Sequence, residues 1–282
     1  MGAEWGAGRR VVLITGSGMG IGKAMALAFA AAGCRIALNG RDPAKLEAVQ
    51  AQIRAMGREA MAFPADVSQW PGAEGLIQAV LAAYGRLDVL VNNAGTATRG
   101  PVEALAPEVF ERVLHTNLLG SVYPSKAAIP ALRASRGSVV FISSLAGLHG
   151  LPFNSIYGAS KQALTAFSES LRNELHPAGI HTGIVYVGFT ENDPKKVVYD
   201  TDGRPVYLPP RAGIRTQSPD AVAQSVLRLV QRRRKQAVLS PAGKALYLVQ
   251  RLAPGLLDLA YRLNLDKIRA QAETPADAAR IP

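Results

Sequence analysis

The run Val-Val-Leu-Ile-Thr at 11–15, followed at once by Gly16-Ser17-Gly18-Met19-Gly20-Ile21-Gly22 and an alanine-rich stretch over 23–32, leaves few folds open. A short apolar, β-branched run fits a strand covered on both faces, as in the middle of a parallel sheet. The glycines end that strand, and the alanine-rich stretch reads as a helix. A strand, a glycine-rich turn and a helix N-terminus in this order make an anion site, because backbone N–H groups and the positive helix end face one point. A glycine-rich turn by itself also serves ordinary chain reversals. Its placement here is what points to a phosphate-bearing ligand.

The same alternation continues along the chain. Short apolar runs at 35–39, 59–63, 87–91, 139–142, 180–185 and 236–240 are separated by stretches of helical character. Strand–helix alternation predicts an α/β chain with right-handed crossovers, a three-layer Rossmann fold around a doubly wound seven-stranded parallel sheet. Asp42-Pro43 reads as a helix cap followed by the first helical position, Ser68 as another cap, and Ser218-Pro219-Asp220 as the opening of a helix to about 233. Residues 107–135 read as mostly helical, with kinks expected at Pro124 and Pro130. The proline- and glycine-containing segment at about 189–217 lacks periodicity and reads as a substrate lid. The chain thus divides into a catalytic unit over 1–240 and a basic amphipathic extension over 241–282.

Chemistry concentrates in residues 137–161, GSVVFISSLAGLHGLPFNSIYGASK. Ser143 and Ser144 fall where the strand ends, at the edge where open α/β sheets bind ligands. Tyr157 and Lys161 stand four apart on the following helix and are neighbours there. A phenol titrates near about 10 when unperturbed. A nearby ammonium favours the phenolate and brings it toward a useful value for proton transfer. Taken alone, such a pair is more often a packed aromatic beside a solvated charge; the rest of the chain gives it meaning.

At the end of the second strand, an acid would hold a ribose 2′-OH and an arginine would accommodate a 2′-phosphate. The residues there are Gly40 and Arg41, which favours NADP(H) over NAD(H); the alternative is that Arg41 is a solvated turn residue. Asn117 lies inside a helix; such an Asn is more often a surface residue, but its amide can also hold a buried water or backbone group. His115, His149, His176 and His181 lack metal-ligand spacing and read as surface or packing residues. Cys34 is the only cysteine, which excludes an internal disulfide and fits a reducing cytosolic compartment. The first residues lack a signal-peptide core, and no run of about 18 apolar residues spans a bilayer.

Together these residues resemble the classical short-chain dehydrogenases/reductases over about 9–240. Residues 15–22 look like that family's cofactor motif, Asn92-Asn93-Ala94-Gly95 like its sheet motif, and Tyr157-Gly158-Ala159-Ser160-Lys161 like its active-site motif. The resemblance implies a catalytic set of Asn117, Ser144, Tyr157 and Lys161, with Tyr157 as acid/base, Lys161 tuning it and Asn117 positioning a water. It implies cofactor contacts from Gly16, Ser17, Gly18, Gly20, Ile21, Gly22, Arg41, Asp66, Val67, Asn93, Ala94, Gly95, Tyr157, Lys161, Gly188 and Thr190. The family has Pro-Gly after the sixth strand where this chain has Val187-Gly188, so the contact to the nicotinamide amide falls to Thr190 or Asn192. The resemblance also implies a homodimer or homotetramer paired through 107–135 and 155–176.

The loop over 145–153 is largely apolar, which favours a hydrophobic carbonyl or alcohol substrate of steroid, retinoid, long-chain or keto-lipid type. The alternative is that its leucines pack under the lid. The net charge is +11, and from 225 onward eleven Lys/Arg stand against four acids, so the excess belongs largely to the tail. There Leu246, Val249, Leu252, Leu256, Leu259 and Leu263 recur at helical spacing, interrupted by Pro254-Gly255. Three fates fit: packing on the body or a partner subunit, closing the pocket, or peripheral contact at the inner face of a membrane, the last supported by Arg232-Arg233-Arg234-Lys235. That cluster is short and lacks interleaved aromatics, which argues against nucleic acid. Two rivals from other classes remain, a non-catalytic NADP(H)-binding regulatory protein and a membrane-surface lipid-binding protein.

Overall fold

The structure, a computed structural model, describes residues 10–191, 193, 196–207 and 216–272. In chain order its elements are β1 (Val11–Ile14), α1 (Gly20–Ala31), β2 (Arg35–Gly40), α2 (Pro43–Ala55), β3 (Ala60–Pro64), α3 (Trp70–Tyr84), β4 (Val89–Asn92), α4 (Pro107–Leu114), α5 (Gly120–Ser135), β5 (Ser138–Ser144), α6 (Ser155–Leu175) and β6 (His181–Val187). They continue with β7 (Val197–Tyr199), β8 (Pro205–Tyr207), α7 (Pro219–Gln231), β9 (Gln236–Val238), α8 (Pro241–Leu252), α9 (Pro254–Leu263) and α10 (Leu265–Ala272).

Seven strands form one sheet in the order β3-β2-β1-β4-β5-β6-β9, and every pair in it is parallel. The order reverses between β1 and β4, which opens the crevice in which a doubly wound sheet takes its ligand. All four residues of β1 are fully buried, as a strand with helices on both faces requires. One core holds α1, α2 and α7 against Val12, Ile14, Ile36 and Val185. The other holds α3, α5 and α6 against Leu13, Leu90, Phe141 and Ile184. Each fully buried aliphatic side chain contributes about 1.5–3 kcal/mol, and these two layers fix the sheet that carries the site.

Several local expectations hold. Asp42 caps α2 by accepting from Lys45 N (3.3 Å) with Pro43 in the first turn, and Ser218 caps α7 by accepting from Ala221 N (3.2 Å). Three others are corrected. Ser68 does not cap α3; its N–H and hydroxyl both donate to Asp66 Oδ1, at 2.9 and 2.7 Å, closing a turn before the helix. The 107–135 stretch is not one α-helix: a π turn at His115–Leu119 interrupts it, while Pro124 and Pro130 stand inside α5 with no break in the assigned helix. Ser121 and Ser125 donate to the carbonyls of Asn117 (3.0 Å) and Ser121 (2.7 Å), bridging this part of the ladder with hydroxyls.

The third correction concerns 189–217, which is not irregular throughout. β7 and β8 form an antiparallel hairpin in it, with Val198 opposite Val206. The hairpin is seated on the body: Tyr199 N donates to Ala97 O (3.3 Å), Ala106 N donates to Thr201 O (2.8 Å), and the Arg112 guanidinium lies 4.3 Å from the Tyr199 ring centroid. A bridge between Thr190 and Gln217 closes the base of the segment.

Candidate active site

The site is assembled at the carboxyl ends of β1, β4 and β5. Thr15, buried just past β1, accepts through its hydroxyl from the N–H groups of Asn93 (2.9 Å) and Ala94 (3.0 Å). Asn93 answers with its side-chain amide, which donates to the carbonyls of Thr15 (2.9 Å) and Gly16 (3.1 Å). The glycine-rich turn is thereby tied to the β4 loop. Ser17 is fully buried; its hydroxyl donates to Asn39 O (3.2 Å) and accepts from Asn39 N (2.9 Å), so this side chain fastens the turn to β2.

Helix α1 starts at Gly20 without a side-chain cap on its N-terminus. Gly16 and Gly20 have φ of 63° and 52°, and the space where a Cβ would stand on Gly20 is open. Uncapped first-turn N–H groups beside open space are what an anionic phosphate satisfies. At the far end of this crevice Arg41 is exposed. Asp42, the nearest acid to the end of β2, has its carboxyl held below the usual carboxylate range by its hydrogen bonds to Lys45, whose Nζ lies 3.1 Å away. Lys45 also packs against the turn: a Cβ on Gly18 would stand 3.1 Å from Lys45 Cβ. Asp66 lies past β3 in its turn with Ser68, and Val67 is buried beside it.

The catalytic candidates converge on α6. Lys161 is buried and donates from Nζ to Ile142 O (3.0 Å) on β5, 5.9 Å from the Tyr157 ring centroid. Burial, with a smaller push from the Lys196 charge, brings its ammonium down to about 8. Ser143 Oγ donates to Lys161 O (3.2 Å) and Thr165 Oγ1 to Gly147 O (3.1 Å), which pins the end of β5 and the turn after it onto α6. Ser144, half-buried, caps the short 3₁₀ turn Leu145–Gly147 by accepting from Ala146 N (3.3 Å). A hydroxyl that accepts from its own turn keeps its proton free to donate outward.

Asn117 sits in the π turn and is fully buried. Its Oδ1 accepts from Thr96 N (2.8 Å), while Nδ2 donates to Thr96 O (3.1 Å) and Ser160 Oγ (3.0 Å). Ser160 in turn donates to Tyr157 O (2.7 Å). One amide therefore locks the β4 loop to the helix turn that carries Tyr157. Gly95 is needed for this approach, since a Cβ there would lie 3.1 Å from Asn117 Oδ1 and 3.6 Å from Lys161 Nζ.

Gly188 follows β6, and Thr190, buried, donates to Gly188 O (3.3 Å); Asn192 lies outside the described residues. Sequence reasoning missed Ser160, Thr96 and Lys45. Ser160 was legible, standing three residues after Tyr157 on the same helix. Thr96 and Lys45 enter only through tertiary approach. The thiol of Cys34 is buried and pushed up to about 12 by burial, too high to serve as a nucleophile.

Comparison with known proteins gives the chain its family. A model of the short chain dehydrogenase family matches residues 10–202. The chain is 34% identical over 273 residues to dehydrogenase/reductase SDR family member 7B of Bos taurus, covering 94% of this chain and 83% of the bovine protein. A metagenomic short-chain oxidoreductase solved in complex with NADP superposes with a TM-score of 0.70 at 30% identity, covering 82% of this chain and 97% of that one. A short-chain dehydrogenase/reductase from Burkholderia phymatum, solved with NAD, shares the fold with a TM-score of 0.77 at 23% identity over 91% of this chain and 96% of that one. The chain belongs to the short-chain dehydrogenase/reductase family, and it is an oxidoreductase acting on CH–OH groups with a nicotinamide cofactor.

Proposed function

We propose that the protein interconverts a ketone or aldehyde and its alcohol on a hydrophobic substrate, with NADP(H) as the cofactor. The observation that carries the proton-transfer half is the buried Lys161 ammonium, held by Ile142 O and facing the Tyr157 ring. When bound, the nicotinamide supplies or accepts the hydride. In the reductive direction Tyr157 Oη delivers a proton to the substrate oxygen as negative charge develops there, and Ser144 donates a hydrogen bond to the same oxygen. Lys161 favours the phenolate left behind. Both amide hydrogens of Asn117 are already taken, so its side chain holds geometry, and a water relay to Lys161 would run through its main-chain carbonyl.

Two further features support the finer reading. The preference for NADP(H) rests on the end of β2, where Arg41 is exposed, Lys45 packs at Gly18, and Asp42 is engaged as a helix cap rather than free for a ribose hydroxyl. The apolar substrate rests on 145–153, which contains no Asp, Glu, Lys or Arg. Leu145 and Leu148 pack on the core, as the structural alternative expects, while Leu151, Pro152 and Phe153 are only half-buried. A wall of this kind cannot satisfy the hydroxyls of a sugar. The hairpin over β7 and β8 is read as part of the lid, and a homodimer or homotetramer in the cytosol completes the proposal.

The test is oxidation of NADPH against ketones graded from small and polar to steroidal and long-chain, repeated with NADH. Turnover confined to apolar ketones and favouring NADPH supports the reading. Turnover with polar ketones, or with NADH as well as NADPH, contradicts its finer half.

A further inference from the structure

The C-terminal helices are amphipathic twice over, and only one side of them is used. On the inner side, Tyr261 stacks on His149 with ring centroids 5.3 Å apart and Gln250 Oε1 lies 2.6 Å from His149 Nδ1. Helix α8 enters against the loop after Ser144 at Gly243, where a Cβ would stand 2.6 Å from Leu145 Cδ2. Leu246, Val249, Leu257 and Tyr261 are half-buried on that side. On the outer side, Leu248, Leu252, Leu256, Leu259 and Leu263 are 56%, 75%, 60%, 52% and 76% exposed. Leu248 and Leu252 stand four apart on α8, and Leu256, Leu259 and Leu263 stand three and four apart on α9, so each helix carries its own exposed aliphatic stripe on either side of the break at Ala253.

We propose that this outer face of α8 and α9 is a docking surface for an anionic lipid bilayer. Charge selects that occupant. Lys244, Arg251 and Arg262 are exposed around the leucines, and residues 242–272 hold five Lys/Arg against two Asp. Cations bordering an aliphatic face match a headgroup layer of negative charge above acyl chains. A second copy of the chain would bring two such cationic rims together, on molecules that each carry +11. Among the described residues no helix is long and apolar enough to cross a membrane, so the pair lies along the interface. The run Arg232-Arg233-Arg234-Lys235 is not part of this rim. It precedes β9 at the opposite end of the sheet, where Arg233 donates to the carbonyls of Arg136 and Gly179.

The inner side of the same helices grips His149 in the loop after Ser144, and from α10, which follows them, the Arg269 guanidinium lies 5.7 Å from the Phe153 ring centroid. Docking would therefore set the site next to the bilayer, and on the reading that the substrate is apolar this gives it a short route from the lipid.

The experiment is flotation of the full chain, loaded with NADPH, with vesicles of phosphatidylcholine alone or mixed with phosphatidylglycerol. The expected result is flotation with the anionic vesicles, weaker flotation with the neutral ones, and loss of binding as salt rises. The variant Leu252→Ser/Leu256→Ser/Leu263→Ser should lower partitioning by about tenfold or more, on the scale of the apolar area removed. Lys244→Glu/Arg251→Glu/Arg262→Glu should abolish the preference for anionic lipid. Both variants should keep the wild-type circular dichroism spectrum. Failure of the wild type to float with anionic vesicles at low salt, or unchanged flotation of the leucine variant, overturns the proposal. So does a wild-type dimer that the leucine variant converts to monomer without any vesicle binding, which would identify a second copy as the occupant. Flotation reads no turnover, so this outcome and that of the ketone panel are independent.

Discussion

The two faces that the protein builds around the loop after Ser144 obey opposite rules. On the α6 side, polar groups are buried and nearly every one has a partner: Asn117 makes three hydrogen bonds through one amide, Ser160 donates a hydrogen bond to Tyr157 O, and Lys161 Nζ donates to Ile142 O. On the α8–α9 side, large apolar groups are left in solvent, and His149 links the helices to the loop. A buried polar group without a partner costs about 1–3 kcal/mol, so the first face is specified by the chain's own atoms. An exposed leucine costs little singly, whereas several close together are the kind of surface that an outside partner covers. Chemistry is thus placed on the self-sufficient face, and the proposed lipid contact on the other.

The sharpest way to break that contrast is to remove the charge from the self-sufficient face. Lys161→Met should lower kcat by about 10²–10⁴-fold, the range for losing positioned proton transfer. The same variant should be more stable than the wild type near neutral pH. Burial lowers this ammonium from 10.5 to about 8, so the unfolded chain binds more protons between those values and wild-type stability rises as pH increases through them. The stability gap between variant and wild type, about 3 kcal/mol on the scale of 1.36 kcal/mol per pKa unit, should close above about pH 10 in denaturant titrations. Reductive kcat/KM of the wild type should fall as pH rises past about 8, where the free enzyme loses this charge.

Next in size is the cofactor end of the crevice. Arg41→Asp should cost about 10–100-fold in kcat/KM for NADPH and leave NADH equal or improved, since a charge-assisted hydrogen bond is worth about 1.5–3 kcal/mol. Equal losses with both cofactors would show that Arg41 holds structure rather than a 2′-phosphate. Ser160→Ala should lower kcat by about tenfold and stability by about 1–3 kcal/mol, because it leaves the Asn117 amide with an unmet donor in a buried network. The smallest effect belongs to the other face. His149→Ala should change kcat by no more than a few-fold while speeding proteolysis or amide exchange in α8–α9, as loss of one hydrogen bond and one ring stack predicts.

What the sequence made legible follows from the range of the interactions. The sheet, its order-reversing crevice and the Tyr157–Lys161 pair arise from local periodicity and short motifs, and these were readable. The cap at Asp42 was readable for the same reason, since donor and acceptor are three residues apart. The π turn was not: prolines are the visible breakers, yet the ladder yields at His115–Leu119, where Asn117 reaches both the β4 loop and α6. His149 read as a surface or packing histidine and does pack, on Tyr261; its partner Gln250 was not legible because it stands 101 residues away with no motif joining them. The tail's heptad-like leucines read as one stripe, but Leu246 and Val249 turn inward while Leu252, Leu256, Leu259 and Leu263 turn out. Spacing gives a stripe; only the docked position of the helix tells which part of it is covered.

The most direct test of the catalytic claim is Tyr157→Phe, with NADPH affinity measured by fluorescence titration and turnover measured on an apolar ketone in the same preparation. The account predicts NADPH binding close to that of the wild type and turnover reduced by about 10²–10⁴-fold, because only the proton donor has been removed. Turnover near the wild-type rate would contradict the role of Tyr157, and tight NADPH binding with no turnover in the wild type itself would identify a protein that binds the cofactor for regulation.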